Sequence, residues 1–376
     1  MFPTIFDRYL GRQVFAATFM GVLLLSGVMV LGNVYKKLDE LLGNTELPLS
    51  VMAEFVALVI PFSLIFTIPW AFLTGILLVF GRLSADNELI ALRMTGLSMK
   101  RICLPVFLFA VLLSGICYWV NVNLAPTAKN RIKRIFYEVA LKDPASLFQE
   151  GHVLDKVPGY RVFTGVRDGN ELKDLHIVEF GEGDAETWVS AREATLEPQE
   201  DKLDFILHLR GAKVERIVDG KKPVPDSLDP VVSEDMPLLF PLSRLAEDTV
   251  RVNASMKSTP TLWEEVRSSN DSVTGKPMTP EARSLSLTEL SKRYSFSLAC
   301  VTFALVGIPL GVTAQRRDTS MGFVLSLITA TVYIGIIILA DGMNDKPAYH
   351  PHLIMWLPNV LFLGIGAWLF LRLNRK

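Results

Sequence analysis

Apolar and polar residues separate along this chain into long blocks. Val14–Val34, Phe55–Gly81, Ile102–Ala125, Tyr294–Gln315, Thr319–Ala340 and Pro351–Leu371 are apolar runs whose cores carry no charge. Each is about twenty residues or more, the length that spans a bilayer as a helix. Pro61 and Pro69 should kink the second run, and Pro126 should close the third. Between runs three and four the period changes. TAKNRIKRIFYEVALK, from Thr127, reads as a basic helix leaving the membrane. Beyond it Tyr160–Val166, Leu172–Phe180, Thr187–Leu196, Leu203–Leu209 and Ala212–Val218 alternate as strands do, with turn signals at Asp168-Gly169 and Asp219-Gly220. Short strands at this spacing predict an antiparallel sandwich or jelly roll. Thr261–Arg267 reads as a short helix behind Pro260, Ser268–Arg283 as a loop and Leu285–Arg293 as a helical run-in to the fourth span. The expected fold class is membrane α plus β: six transmembrane helices, three plus three, around an inserted β-jellyroll-like domain. The expected divisions are 1–125, 126–285 and 286–376.

Composition and charge then orient the picture. The net charge of −1 gives no case for nucleic acid as a partner. An even number of spans puts both termini on one side. That side holds Arg8, Arg12, Arg82, Arg93, Lys100, Arg101, Arg316, Arg317, Arg372, Arg375 and Lys376; the short loops opposite hold Lys36, Lys37 and Lys346. The positive-inside rule predicts cytoplasmic termini and an exported β domain. The first apolar run is too long for a cleaved signal. Cys103, Cys117 and Cys300 all sit in apolar runs and read as small hydrophobes without metal spacing.

One charged stretch stands out, Arg82–Arg101 (RLSADNELIALRMTGLSMKR). It reads as a small helix of about 84–96, with Ser84 as N-cap, Asp86 and Glu88 in the first turn and Gly96 as a left-handed stop. Ala85, Leu89 and Leu92 fall on one side, but Ile90, Ala91 and Met94 fall elsewhere. A helix apolar on more than one face, outside the bilayer, should be covered. Its own neighbouring helices or a docked partner would both serve.

Other chemistry is sparse. A P-loop needs GxxxxGK[ST]. Gly275-Lys276 has Asn270 five residues ahead and Pro277 behind, and Gly220-Lys221 is followed by Lys222, so both fail. His350 and His352 lack a carboxylate at helical spacing and are poor metal ligands. No catalytic set, metal or cofactor is expected. Asp341 and Asp345 read as solvated. Lys36 and Lys37 at the end of the first span, and Lys129, Arg131, Lys133 and Arg134 after the third, lie at headgroup depth. They could pair with lipid phosphates or merely snorkel.

DRYLGRQVF near the N-terminus, RLSADNELIALRMTGLS after the second span and ELSKRYSFSLACVTFALVGIPLG into the fourth stand in a definite order. With the three-plus-three spans, they resemble the YjgP/YjgQ family, the LptF/LptG permease subunits of the lipopolysaccharide exporter. The most specific piece is Glu88, Leu89, Ala91, Leu92, Arg93, Gly96 and Ser98, with Gly307, Pro309 and Gly311 in support. The resemblance implies an ABC transporter permease of the cell inner membrane without ATPase motifs of its own, serving outer membrane biogenesis. It implies a second LptF/LptG-type permease, a separate LptB-like ATPase, and LptC-like and LptA-like periplasmic β-jellyroll proteins that receive lipopolysaccharide. The helix after span two would be the ATPase-coupling helix, using Glu88, Leu89, Leu92, Arg93 and Gly96. Lys36, Lys37, Arg131, Lys133 and Arg134 would meet lipid phosphate. Spans one and five would wall a lateral gate, their Gly21, Gly27, Gly322 and Gly335 allowing close approach. The other reading of the topology is a scaffold or signalling protein that passes a periplasmic state inwards without transport.

Overall fold

A computed structural model describes residues 5–42, 49–142, 148, 150–154, 159–168, 171–180, 185–198, 205–218, 231–240, 253–272, 275, 277–314 and 319–375. Six of its helices are long and apolar enough to cross a membrane. They are α1 (Ile5–Leu42), α2 (Leu49–Ala85), α4 (Met99–Trp119) continuing into α5 (Ala125–Lys142), α7 (Pro280–Ala314), α8 (Thr319–Asp341) and α10 (Leu357–Arg375). The short α3 (Glu88–Met94), α6 (Thr259–Ser268) and α9 (Pro351–Ile354) complete the α-helices among the described residues, and Ala254–Met256 and Pro347–Tyr349 are 3-10 turns. The first loop is shorter than expected, because α1 runs on to Leu42 and α2 begins at Leu49.

Two expectations fail for identifiable reasons. Pro126 does not close the third span. A π-turn at Val120–Leu124 widens the helix just ahead of it, so α4 passes into α5 without a stop. Pro126 has no N–H to give the Val122 carbonyl, and the Thr259 hydroxyl donates to that carbonyl instead at 3.4 Å. Nor is Ser84 an N-cap. It lies inside α2, and its hydroxyl donates to the Val312 carbonyl of α7 at 3.0 Å. The fourth span also starts earlier than expected, at Pro280, within the stretch read as loop.

The chain divides into two compact units, residues 1–34, 56–130 and 253–376 forming one and residues 35–55 and 131–252 the other. In the first, α7 is the helix the others pack on. Gly307 and Gly311 sit close against Leu73, Ile76, Leu77 and Phe80 of α2, and Gly366 of α10 sits against Leu305 and Val306.

In the second unit, β1 (Val153–Leu154), β2 (Tyr160–Asp168), β3 (Glu171–Phe180), β4 (Ala185–Pro198), β5 (Phe205–Val218) and β6 (Val231–Phe240) form one antiparallel sheet in sequential order. Two runs read as separate strands are one, β5. The alternation breaks at Gly211, whose φ of +61° turns the chain without ending the strand. The sequence reading missed β6, whose Glu234, Asp235 and Pro237 interrupt its apolar pattern; Pro237 is tolerated because β6 is an edge.

The break at Gly211 is one point on a crease. Asp174 of β3 has a φ of +52°, Leu172 and Leu175 on either side of it both point inward, and ladder pairing lapses between Asp174 and Gly165. Pairing lapses again between Arg192 and Gly211 and between Gly211 and Glu234. Bent along this line, the sheet curls. Tyr160 of β2 and Phe240 of β6 are four strands apart, about 19 Å if the sheet were flat, yet their rings lie 5.4 Å apart. The inner face thereby closes around Val162, Leu175, Ile177, Leu207 and Leu209, the roll-like core the alternation predicted.

Candidate coupling site

The most built-up candidate lies where α2, α3 and α4 meet the first turns of α1. After Ala85 the chain turns through Asn87, held at φ 58°, and runs seven residues as α3. It stops at Gly96, which takes the left-handed conformation expected of it (φ +86°) and gives its N–H to the Arg93 carbonyl at 2.9 Å. Ser98 caps α4 by accepting from the Arg101 N–H. Seven residues are too few to form a helix unaided. Packing supplies the rest: Leu89 is 4% exposed, and Leu92 is half-buried against the same core as Leu10, Leu83 and Met99. The opposite face is bare, with Ile90 59% and Met94 84% exposed. So α3 has an inner face covered by its own chain and an outer apolar face that none of the described residues covers.

Two contacts tie this corner to α1. Arg101 donates to both carboxylate oxygens of Asp7, at 3.0 and 2.7 Å. The Tyr9 hydroxyl donates to Glu88 at 3.4 Å. Glu88 and Arg93 are both half-buried at the rim of the bare face. The sequence had joined Glu88, Leu89, Leu92, Arg93 and Gly96 in one helix; the first four lie in α3 and Gly96 lies two residues beyond its end, and the sequence gave no sign that α1 reaches them.

Of the basic residues expected to meet lipid phosphate, the side chains of Arg131, Lys133 and Arg134 are among the described residues. The side chains of Lys36 and Lys37, in the last turns of α1, lie outside those residues. Arg131 is engaged already, its Nε donating to Glu54 at 2.6 Å. Lys133 is half-buried and Arg134 is exposed. Lys129 sits over the Phe62 ring, 5.3 Å from its centre. Asp341, read as solvated, is paired with Lys292 at 2.9 Å.

Sequence reading missed two buried polar networks. Arg293 donates to the Thr259 hydroxyl at 2.7 Å, to the Lys257 carbonyl at 2.8 Å and to Glu289 at 3.1 Å. Beside it Glu265, wholly buried, accepts from Lys257, Ser272 and Ser286. Burial pushes the Glu265 carboxyl upward, but the hydrogen bonds from Lys257 and Ser272 outweigh it and hold the group below its ordinary value. Deeper in the bundle, Asn359 of α10 donates to Ser295 and accepts from Thr302 of α7 and Tyr333 of α8. A signal was present in the small hydroxyls at Ser284, Ser295 and Thr302, whose spacing puts them on one side of α7.

Six spans split three and three around a curled sheet domain, with a two-faced helix between spans two and three, make the build of a transporter's membrane subunit. Residues 8–372 match the family described as the lipopolysaccharide export system permease LptF/LptG, and the chain belongs to that family. The resemblance carried by the three motifs therefore holds over nearly the whole chain. No match to a curated protein was found.

Proposed function

We propose that this chain is one permease subunit of an ABC exporter that extracts lipopolysaccharide from the inner membrane and hands it to periplasmic β-jellyroll proteins bridging towards the outer membrane. ATP is hydrolysed on a separate LptB-like chain, a second LptF/LptG-type permease completes the pair, and LptC-like and LptA-like proteins receive the lipid. The charge asymmetry of the loops supports cytoplasmic termini and α3, and a periplasmic domain at about 126–285 between membrane segments 1–125 and 286–376. Family membership favours transport over a scaffold role.

The observation that carries the reading is the two-faced α3. Its inner residues Leu89 and Leu92 fix it to the spans, and its outer Ile90 and Met94 are free to fill a pocket. Glu88 and Arg93 at the rim would set register, and Gly96 ends the helix where the chain must turn back. Lys36, Lys37, Arg131, Lys133 and Arg134 would meet lipid phosphates, Arg131 by exchanging its bond to Glu54. Of the four glycines on the supposed gate spans, Gly27 and Gly335 face open space and could admit a partner. Gly21 and Gly322 instead pack against Ala71 and Leu77 of α2. Reversing the charge in Glu88→Lys should weaken ATPase association or uncouple hydrolysis from export while membrane insertion persists. Normal export by that variant would remove the assigned role.

A further inference from the structure

We propose that Asp7 and Arg101 are positioning residues that form a strut, delivering movement of the α3–α4 corner to α1. The inference rests on the reading of α3 as the ATPase-coupling helix. It starts from how unevenly α1 is held. Leu10 and Val14 near its start are 0% and 1% exposed, and beyond them no large apolar residue of α1 among those described is buried. From there outward the Phe15 ring lies 6.0 Å from that of Phe109 and half-buried Val22 packs on the core, but its other attachments are small: Thr18 against Gly75, Gly21 against Ala71, and a hydroxyl pair between Ser26 and Thr67 at 2.9 Å. Such contacts let one helix turn or slide on another without prying apart interlocked side chains.

The inner end is different. The Asp7–Arg101 pair is bidentate and its side chains are only 11% and 22% exposed, so it is shielded from the solvent and salt that weaken surface pairs. Arg101 stands in the first turn of α4, directly after the linker from α3. A push on α3 therefore reaches α1 through a fixed planar fork of two hydrogen bonds. The rest of α1 is built to follow.

The test uses the full transporter, this chain with its partner permease and ATPase, in liposomes containing lipopolysaccharide. Variants are Asp7→Arg, Arg101→Asp and the double swap. Spin labels at Val28→Cys on α1 and Leu112→Cys on α4 report the distance between the two spans. In the parent chain ATP should shift that distance. Each single variant should keep its ATPase bound, lose the shift and extract about tenfold less lipid per ATP hydrolysed. The double swap should restore both. Asp7→Asn, which keeps shape and one acceptor, should lose the shift even if the reversed-charge singles fail to fold. Normal coupling in Asp7→Asn, or a double swap no better than the singles, would overturn the strut. So would loss of ATPase association in the single variants, because the pair would then be holding the docking face itself. Failure of the parent chain to bind any ATPase would instead overturn the reading of α3 on which the strut depends.

Discussion

In α1, 11% of the most apolar stretch is buried against the rest of the chain; in α7 the figure is 67%. The two helices are similar in length, 38 and 35 residues, and both are apolar enough to span. What differs is what their side chains do. α7 meets α2 through its own Gly307 and Gly311 and α10 through Gly366, and Ser295, Ser297 and Thr302 bond to Met355, Asn121 and Asn359 outside it. α1 turns Phe19, Leu24, Val28 and Leu31 outward and meets its own chain mainly near its start. A span fixed by polar bonds and close backbone contact can serve as a pillar. A span that offers apolar side chains outward is suited to lipid, cargo or a second permease. The permease reading thus maps onto two kinds of packing in one unit.

Four changes would break or sharpen that contrast. The largest effect is expected at the foot of the pillar. Arg293→Met leaves Glu289 and Thr259 without their cation and should cost roughly 3–5 kcal/mol, seen as a lower unfolding midpoint in detergent. Gly366→Val comes next. A Cβ at Gly366 would meet Val306 at 2.9 Å and Leu305 backbone at 3.0 Å, so overpacking should cost about 1–3 kcal/mol. The matched change Gly27→Val, in open space on α1, should leave the unfolding of the isolated chain almost unmoved while lowering export by the assembled transporter. Asn359→Leu should cost about 1 kcal/mol, the usual worth of hydrogen bonds between membrane helices, with α10 losing hydrogen-exchange protection first.

The smallest effect is one of pH. The Glu265 carboxyl is held below its ordinary value of 4.5 in the folded chain. Its stabilising share is therefore fully present above that value and lost as pH falls through the lower, folded value. Proteolytic resistance of the 253–279 segment should decline below about pH 4.5, and Glu265→Gln should flatten that dependence.

Much of this was legible in the sequence because one strong signal carried it. Twenty apolar residues without charge in a bilayer-spanning protein leave few alternatives to a helix, and all six spans follow. Strand alternation was nearly as clear until the backbone itself intervened. Gly211 shifts the phase of β5 by adopting positive φ, and a reading of side-chain period takes such a shift for a strand end. Ser84 looked like a cap because its neighbours suited one; only the Val312 carbonyl, far along the chain, shows why the helix continues through it. The same distance hid Asp7 from Arg101 and Arg293 from Thr259. Pairings of this kind are decided by tertiary approach, and hydropathy does not encode which charge will meet which.

The coupling role proposed for α3 depends most on its bare outer face. A photo-crosslinking residue at Met94, in the chain assembled with its partner permease and ATPase, tests it directly against a control at Leu112, exposed on the apolar surface of α4. The account predicts an ATPase adduct from Met94 and only lipid or permease adducts from Leu112. An assembled, ATP-hydrolysing complex in which Met94 captures no ATPase would contradict it.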